Sequence, residues 1–101
     1  MTLVFDEDAL DDLHGIFSWI EKDNPRAAQR LIGRIFRKLE LLLTPGFARM
    51  GRIGRESGTH ELIERPYIIV YEVREQRQEI IVLAVFHGAR RGRGASPLRD
   101  A

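Results

Sequence analysis

Hydrophobic residues repeat at helical spacing near the start of the chain. A first helix is predicted to begin at Asp6, whose side chain can cap the free N–H groups of the first turn, and to end near Lys22. Its apolar positions lie three or four residues apart: Leu10, Leu13, Phe17 and Ile20. Asp11 and Asp12 fall between these positions, so we expect both on the solvent-facing side of the helix.

A second helix is predicted to follow almost at once. Asn24 and Pro25 are typical of a helix cap and a first helical position, and the helix must end before Pro45-Gly46. Its apolar stripe consists of Ala28, Leu31, Ile32, Ile35, Leu39 and Leu42. Much of its remaining surface is basic, with Arg26, Arg30, Arg34, Arg37 and Lys38. The short link between the two helices predicts an antiparallel hairpin.

Strand patterns replace helical ones in the second half of the chain. After a loop over residues 46–58, three runs rich in Ile, Val and Tyr predict strands at Thr59–Glu64, Tyr67–Arg74 and Glu79–Phe86. The short links between them predict an antiparallel meander. The last run is apolar on both faces, which predicts an interior strand. Thr2–Phe5 is predicted to add an edge strand.

These elements predict a single α+β domain over residues 1–101. The order is β-α-α-β-β-β, with the helical hairpin packed on a mainly antiparallel sheet. Residues 87–101 are rich in Gly and Arg, and we expect a loose basic tail there. The predicted core is Leu13, Phe17, Leu31, Ile35, Leu39, Ile69, Tyr71, Ile81, Leu83 and Val85.

Composition excludes several kinds of site. The chain has no cysteine, so disulfides and thiolate metal sites are impossible. His14, His60 and His87 lack the spacing of metal ligands, so we expect no metal and no cofactor. The N-terminus lacks the basic and apolar regions of a signal peptide, and no apolar run approaches the ~18 residues of a membrane span. We therefore expect a cytoplasmic protein without membrane contact.

The net charge of +1 hides an asymmetry along the chain. Residues 1–23 contain seven acidic residues and one basic residue, whereas residues 24–101 contain fifteen basic and eight acidic residues. Fourteen of the sixteen basic residues are arginine, which suits carboxylates and phosphates. Two interpretations stay open: a genome whose base composition enriches arginine codons, or a surface for an acidic partner.

Two basic segments are candidates for chemistry. His87 follows the most apolar strand and precedes Gly88-Ala89-Arg90. Its ring either anchors the strand end through hydrogen bonds or serves as an acid or base near neutral pH. The loop with Arg49, Arg52 and Arg55 is either a solvated turn or, if folding brings it near His87, part of a phosphate or carboxylate site. Its glycine spacing does not match a nucleotide-binding loop.

Taken in order, several short motifs resemble the RelE/ParE toxin superfamily over nearly the whole chain. They are Leu13 with Trp19-Ile20, Asn24-Pro25-Arg26-Ala27-Ala28, Pro45-Gly46, Gly51-Arg52-Ile53-Gly54-Arg55, Gly58-Thr59-His60-Glu61-Leu62, Pro66-Tyr67-Ile68-Ile69-Val70-Tyr71 and His87-Gly88-Ala89-Arg90. The resemblance implies the toxin of a bacterial type II toxin–antitoxin pair, neutralised by a small antitoxin encoded beside it. Operator DNA would then be contacted only through the antitoxin.

The superfamily divides by target. RelE-like members cut mRNA on the ribosome without a metal, whereas ParE-like members poison DNA gyrase. Ribonuclease relatives often carry an arginine where Ile68 or Ile69 stands here, and some carry a tyrosine where Gly88 follows His87. We therefore interpret the chain as ParE-like, with a RelE-like mRNA endonuclease as the alternative and an inactive binding module as a third possibility.

The resemblance also assigns candidate surfaces. The expected target-binding residues are Arg52, Arg55, His87 and Arg90, and a nuclease would use His87 with Arg52 and Arg55 as its catalytic residues. The hairpin carries more apolar positions than one buried stripe requires, namely Phe17, Ile20, Phe36 and Leu43. We expect an amphipathic antitoxin helix to bind there, with an acidic stretch that meets the arginines.

Overall fold

A computed structural model describes residues 1–91, with side chains as far as Ala89. The elements are β1 (Thr2–Phe5), α1 (Glu7–Glu21), α2 (Pro25–Leu41), β2 (Arg52–Ile53), β3 (Thr59–Glu64), β4 (Tyr67–Arg74), β5 (Glu79–His87) and α3 (Gly88–Arg91), with a 3₁₀ turn at Glu75–Arg77. The predicted α+β fold is confirmed. The two-residue strand β2 and the short helix α3 were not predicted.

Both predicted helix starts are confirmed by their caps. The Asp6 carboxylate accepts a hydrogen bond from the Glu7 backbone N–H at 2.7 Å. The Asn24 amide oxygen accepts one from the Ala27 N–H at 3.0 Å, and Pro25 is the first residue of α2. These side chains satisfy N–H groups that a helix start leaves without partners. Local chemistry therefore fixes where each helix of the hairpin begins.

The five strands form one sheet in the order β1-β5-β4-β3-β2. β1 runs parallel to β5, and the other pairs are antiparallel. β5 has a neighbour on both sides, which confirms the interior strand predicted from its apolar sequence. His87, its last residue, lies opposite Tyr67 at the start of β4. The C-terminal end of β5 therefore meets the link between β3 and β4.

A β-bulge in β5 divides the apolar residues between the two faces of the sheet. Val70 pairs with Ala84 and Tyr71 with Val82, so Leu83 is the extra residue. As a result Val82 joins the core beneath the helices, while Leu83 packs with the cluster that contains Val70 and Ala84. The sheet thus buries apolar side chains on both faces.

Eight of the ten predicted core residues are buried. These are Leu13, Leu31, Ile35, Leu39, Ile69, Tyr71, Ile81 and Val85. Phe17 and Leu83 are only half-buried, so their assignment to the core was wrong. Phe17 borders a groove between the helices, and Leu83 is displaced by the bulge.

Asp12 was expected to face solvent, but it faces the sheet. Its carboxylate accepts a hydrogen bond from the Val85 backbone N–H at 3.0 Å, and the residue is half-buried. β1 pairs with β5 only as far as Phe5 opposite Val82, so the next part of the β5 edge needs another partner. Asp12 supplies it, whereas Asp11 is exposed as predicted.

Gly51 lets the loop before β2 approach the sheet. A Cβ atom there would lie 2.6 Å from the Glu61 carbonyl oxygen and 2.9 Å from the Tyr71 hydroxyl, so no other residue fits without a shift. The Gly51 N–H donates to the Tyr71 hydroxyl at 3.1 Å. Burial raises the pKa of the Tyr71 phenol, which keeps this hydroxyl protonated. The contact places Arg52 at the edge of the sheet.

The expected tail over residues 87–101 overlaps β5 and α3 in its first five residues. Residues 92–101 lie outside the described part of the chain. Within residues 1–91, no helix is both long and apolar enough to cross a membrane.

Candidate functional site

A pocket of about 430 Å³ lies where β5 ends beside the link between β3 and β4. Its lining consists of Arg52, Ile63, Arg65, Pro66, Tyr67, Ile68, His87, Gly88 and Ala89. The fold therefore brings Arg52 and His87, two of the predicted target-binding residues, to one pocket. The lining combines apolar residues with two arginines, an arrangement that suits an anionic group attached to an apolar or planar one.

His87 is anchored at one ring nitrogen. Its Nδ1 accepts a hydrogen bond from the Ala89 backbone N–H at 3.1 Å, and the ring packs edge-on against Tyr67 with centroids 5.5 Å apart. A neutral imidazole that accepts at Nδ1 carries its proton on Nε2. In this arrangement Nε2 is a hydrogen-bond donor toward a ligand. To act as a base at Nε2, His87 would have to give up its bond to Ala89.

Arg52 is held by an acidic partner. Its Nε and Nη2 atoms both lie 3.0 Å from Oε1 of Glu61, a residue of β3 that is 2% exposed. Because the carboxylate is buried, it fixes the guanidinium in one position and offsets its charge. Sequence reasoning missed Glu61. Its role depends on the pairing of Arg52 with Glu61 across β2 and β3, and β2 has no periodic signal.

The structure separates Arg55 from this pocket. Arg55 is exposed in the turn between β2 and β3 and is not among the residues that line the pocket. Arg65 takes that place, beside Pro66 in the link between β3 and β4. Arg90 belongs to α3, and its side chain lies outside the described part of the chain. The described cationic groups of the pocket are therefore those of Arg52 and Arg65.

Backbone contacts define the wall that carries His87. The Gly88 N–H donates to the Pro66 carbonyl oxygen at 2.8 Å, which joins the start of α3 to the link between β3 and β4. A Cβ atom at Gly88 would approach that same oxygen to 3.2 Å, a tight contact.

Within residues 1–91, no three His, Asp or Glu side chains cluster as a metal site would require.

A second surface lies between the two helices. An apolar groove of about 180 Å³ is lined by Leu10, Leu13, His14, Phe17, Ile32 and Phe36. Of the residues expected to bind an antitoxin, Phe17 and Phe36 line this groove. Ile20 instead packs against the main core, and Leu43 is exposed beyond the end of α2. Leu10 and Ile32 also line the groove, but the sequence did not identify them as groove residues, because the helical pattern placed both in the buried stripes.

Comparison with known proteins connects this architecture to one family. The family model described as the ParE toxin of the type II toxin–antitoxin system parDE matches residues 3–92. A curated relative from Sinorhizobium fredii (strain NBRC 101917 / NGR234), named "Putative toxin Y4kP", is 37% identical over 81 residues. That alignment covers 78% of this chain and 79% of the relative.

Solved structures share the fold at lower identity. The chromosomal ParDE system of P. aeruginosa matches with a TM-score of 0.74 at 23% identity, covering 86% of this chain and 95% of that chain. The RelBE2 toxin–antitoxin complex of Mycobacterium tuberculosis matches with a TM-score of 0.56 at 24% identity, covering 85% and 95%. A mutant of E. coli RelE in the free state matches with a TM-score of 0.60 at 19% identity, covering 85% and 81%.

The family model spans most of the chain, and the helical hairpin on a five-stranded sheet agrees with it. The chain therefore belongs to the ParE toxin family of type II toxin–antitoxin systems, within the RelE/ParE superfamily.

Proposed function

We propose that this toxin inhibits DNA gyrase by binding, and that an antitoxin neutralises it by occupying the groove between α1 and α2. The family match supports a ParE-like toxin. The pocket at the end of β5 then serves as the target-binding surface, with Arg52, Arg65 and His87 as its polar contacts and Arg90 as a further contact. This function needs no cofactor.

One observation carries the choice of binding over catalysis. The bond from the Ala89 N–H to Nδ1 of His87 keeps the neutral ring in the tautomer that donates from Nε2. A donor beside the Arg52 and Arg65 guanidinium groups suits recognition of carboxylate or phosphate oxygens. A general base that removes the 2′-hydroxyl proton needs the opposite state at the exposed nitrogen, so His87 in this tautomer does not supply the base for RNA cleavage.

The experiment is a pair of assays on the purified chain. In the first, gyrase and supercoiled DNA are incubated with the toxin, and double-strand breaks are scored after the protein is denatured. In the second, programmed ribosomes are incubated with the toxin, and mRNA cleavage is mapped by primer extension. We expect breaks in the first assay and intact mRNA in the second. Cleaved mRNA without gyrase-dependent breaks would refute gyrase inhibition.

The second candidate function is ribosome-dependent mRNA cleavage. It is favoured by the presence of His87, Tyr67 and two arginines around one pocket, since RNA cleavage needs an acid–base group and cations that stabilise the phosphate. The positions of the arginines argue against this function. Arg55, one of the two arginines assigned to the nuclease, lies outside the pocket, whereas the Arg52–Glu61 pair affects binding and catalysis alike.

The antitoxin proposal rests on the shape of the groove. Phe17 and Phe36 border the apolar groove between the helices. The Phe36 ring also packs against Phe5, with centroids 5.5 Å apart. A groove of this kind accepts the apolar face of an amphipathic helix. Two of the structural relatives are themselves toxin–antitoxin systems, which supports a protein partner for this chain.

A further inference from the structure

The outer face of α2 carries a row of arginines, here called the arginine stripe: Arg26, Arg30, Arg34 and Arg37. All four are exposed. Arg26, Arg30 and Arg37 lie on the side of the helix away from the buried Leu31 and Ile35, and Arg34 lies on its flank. At 1.5 Å per residue the stripe extends for about 16 Å along the helix axis. α2 as a whole carries five basic residues and one acidic residue.

The stripe is largely free of counter-charges. Arg34 pairs with Glu64 at 3.1 Å. Across the part of the chain that the structure describes, Arg26, Arg30 and Arg37 form no ion pair. Like charges four residues apart destabilise a helix, and Arg30 has such a neighbour on each side. A row of unpaired cations on one rigid element therefore opposes helix stability and is suited to a polyanion.

We propose that the arginine stripe binds the phosphate backbone of duplex DNA. A duplex presents a dense, stiff row of charges, so a stiff row of arginines can contact several phosphates with little loss of conformational entropy. At the C-terminal end of the stripe, Arg34, Arg37 and Lys38 line a depression of about 440 Å³ together with Glu64. Glu64 pairs with Arg34 and with Lys38, so Arg37 is the cation of this depression that stays available to a phosphate. This surface is separate from the proposed target pocket and goes beyond the proposed function.

Other polyanions fit less well. Binding of single strands relies on aromatic side chains that stack on bases, and the stripe contains none. Acidic peptides bind through apolar anchors as well as charge. The apolar residues of the hairpin that could supply them line the groove rather than the stripe, and Phe36 lies about 100° around α2 from Arg37. Because a row of cations along one helix matches the row of phosphates along a strand, we infer contact with the backbone rather than with base edges.

The neighbouring helix restricts the approach of the DNA. α1 carries five acidic residues and no Lys or Arg. Phosphates that approach from the α1 side are repelled, whereas those that approach α2 from outside are attracted. The charge distribution thus leaves one side of the hairpin for DNA and the groove for a protein. On this proposal the arginines of α2 contact DNA directly rather than through the antitoxin, and they are not the site of the acidic antitoxin stretch expected from the sequence.

The test is fluorescence anisotropy of the full chain with a short labelled duplex between about 50 and 200 mM salt. Each lost phosphate contact reduces the slope of log K against log salt by about 0.9. The variant with Arg26→Gln, Arg30→Gln and Arg37→Gln should therefore lose about 3 from the magnitude of that slope. Glutamine has a helix propensity close to that of arginine, and circular dichroism verifies that α2 persists.

Matched controls separate charge from fold. Lysine at the same three positions should retain the slope, and Arg77→Gln, in the exposed 3₁₀ turn, should leave it unchanged. The proposal is overturned if the duplex does not bind at low salt, or if the triple glutamine variant keeps the parental slope. Equal or stronger binding of a single strand, or equal competition by polyglutamate, would also overturn it. Gyrase inhibition is scored separately, so either claim can fail alone.

Discussion

Arg52 and Glu61 form a two-donor ion pair that joins the edge strand β2 to β3, with the Nε and Nη2 atoms of Arg52 each 3.0 Å from the same carboxylate oxygen. Glu61 is 2% exposed, so its charge depends on donors supplied by the protein. The pair therefore has two consequences. It orients Arg52 at the pocket, and it makes a surface arginine important for stability.

Replacing Arg52 with Leu should lower the free energy of unfolding by about 1–3 kcal/mol, because a buried carboxylate loses two of its donors. Urea denaturation at neutral pH measures this change. The Glu61→Leu variant and the double variant complete a double-mutant cycle, in which we expect a coupling energy of about 0.5–3 kcal/mol. Additive losses would show that the two side chains act independently.

Removing the Asp12 carboxylate should destabilise the end of β5. Asp12→Ala leaves the Val85 N–H without this acceptor, at a cost of about 1–3 kcal/mol, and hydrogen exchange at Val85 should accelerate. Asp12→Asn keeps an oxygen acceptor and should lose less. The matched control is Asp11→Ala, an exposed site where we expect a change within about 0.5 kcal/mol. Equal effects at the two positions would contradict the role assigned to Asp12.

Alkaline pH should weaken the fold through Tyr71. Burial raises the pKa of its phenol above the ordinary value of 10.0, so the folded state holds the proton more tightly than the unfolded chain does. That stabilisation is complete below pH 10 and is lost as the pH rises through the folded-state pKa. Urea denaturation above pH 10 should show a steeper loss of stability in the parent than in Tyr71→Phe. Parallel curves would contradict the assignment.

A charge in the groove should release the antitoxin without unfolding the toxin. Phe36 is partly exposed, so Phe36→Asp should fold but should weaken the complex by at least tenfold, the effect of about 1.4 kcal/mol. Isothermal titration calorimetry with the cognate antitoxin measures the change. The control is Ile53→Asp, which alters an 85% exposed isoleucine on β2. An unchanged affinity for Phe36→Asp would place the antitoxin elsewhere.

Sequence alone could predict the elements whose signals are local. Asp6 and Asn24-Pro25 specify helix starts through contacts within one turn, and the apolar run of β5 indicates an interior strand. β2 could not be predicted in this way. It exists because Gly51 permits a close approach to Glu61 and Tyr71, two residues distant in sequence. The bulge at Leu83 likewise depends on pairing with β4.

The candidate site was predicted only in part for the same reason. The pattern singled out His87 and Arg52, and the structure places both at one pocket. It also selected Arg55, in the loop with several glycines, and did not identify Arg65, which lines the pocket. Arg65 reaches the pocket because it lies in the link between β3 and β4, beside the end of β5, whereas Arg55 lies in the turn before β3, at the other end of that strand. This placement depends on pairing between strands that are distant in sequence.

The most direct test of the central claim is gyrase-dependent DNA breakage by the His87→Gln variant, measured beside the parent toxin. Glutamine keeps a hydrogen-bond donor but does not titrate near neutral pH. If His87 is a binding residue, the parent causes breaks and the variant retains most of them. A parent that cuts mRNA on ribosomes without breaking DNA, and a variant that cuts about 10²–10⁴ times more slowly, would contradict the account.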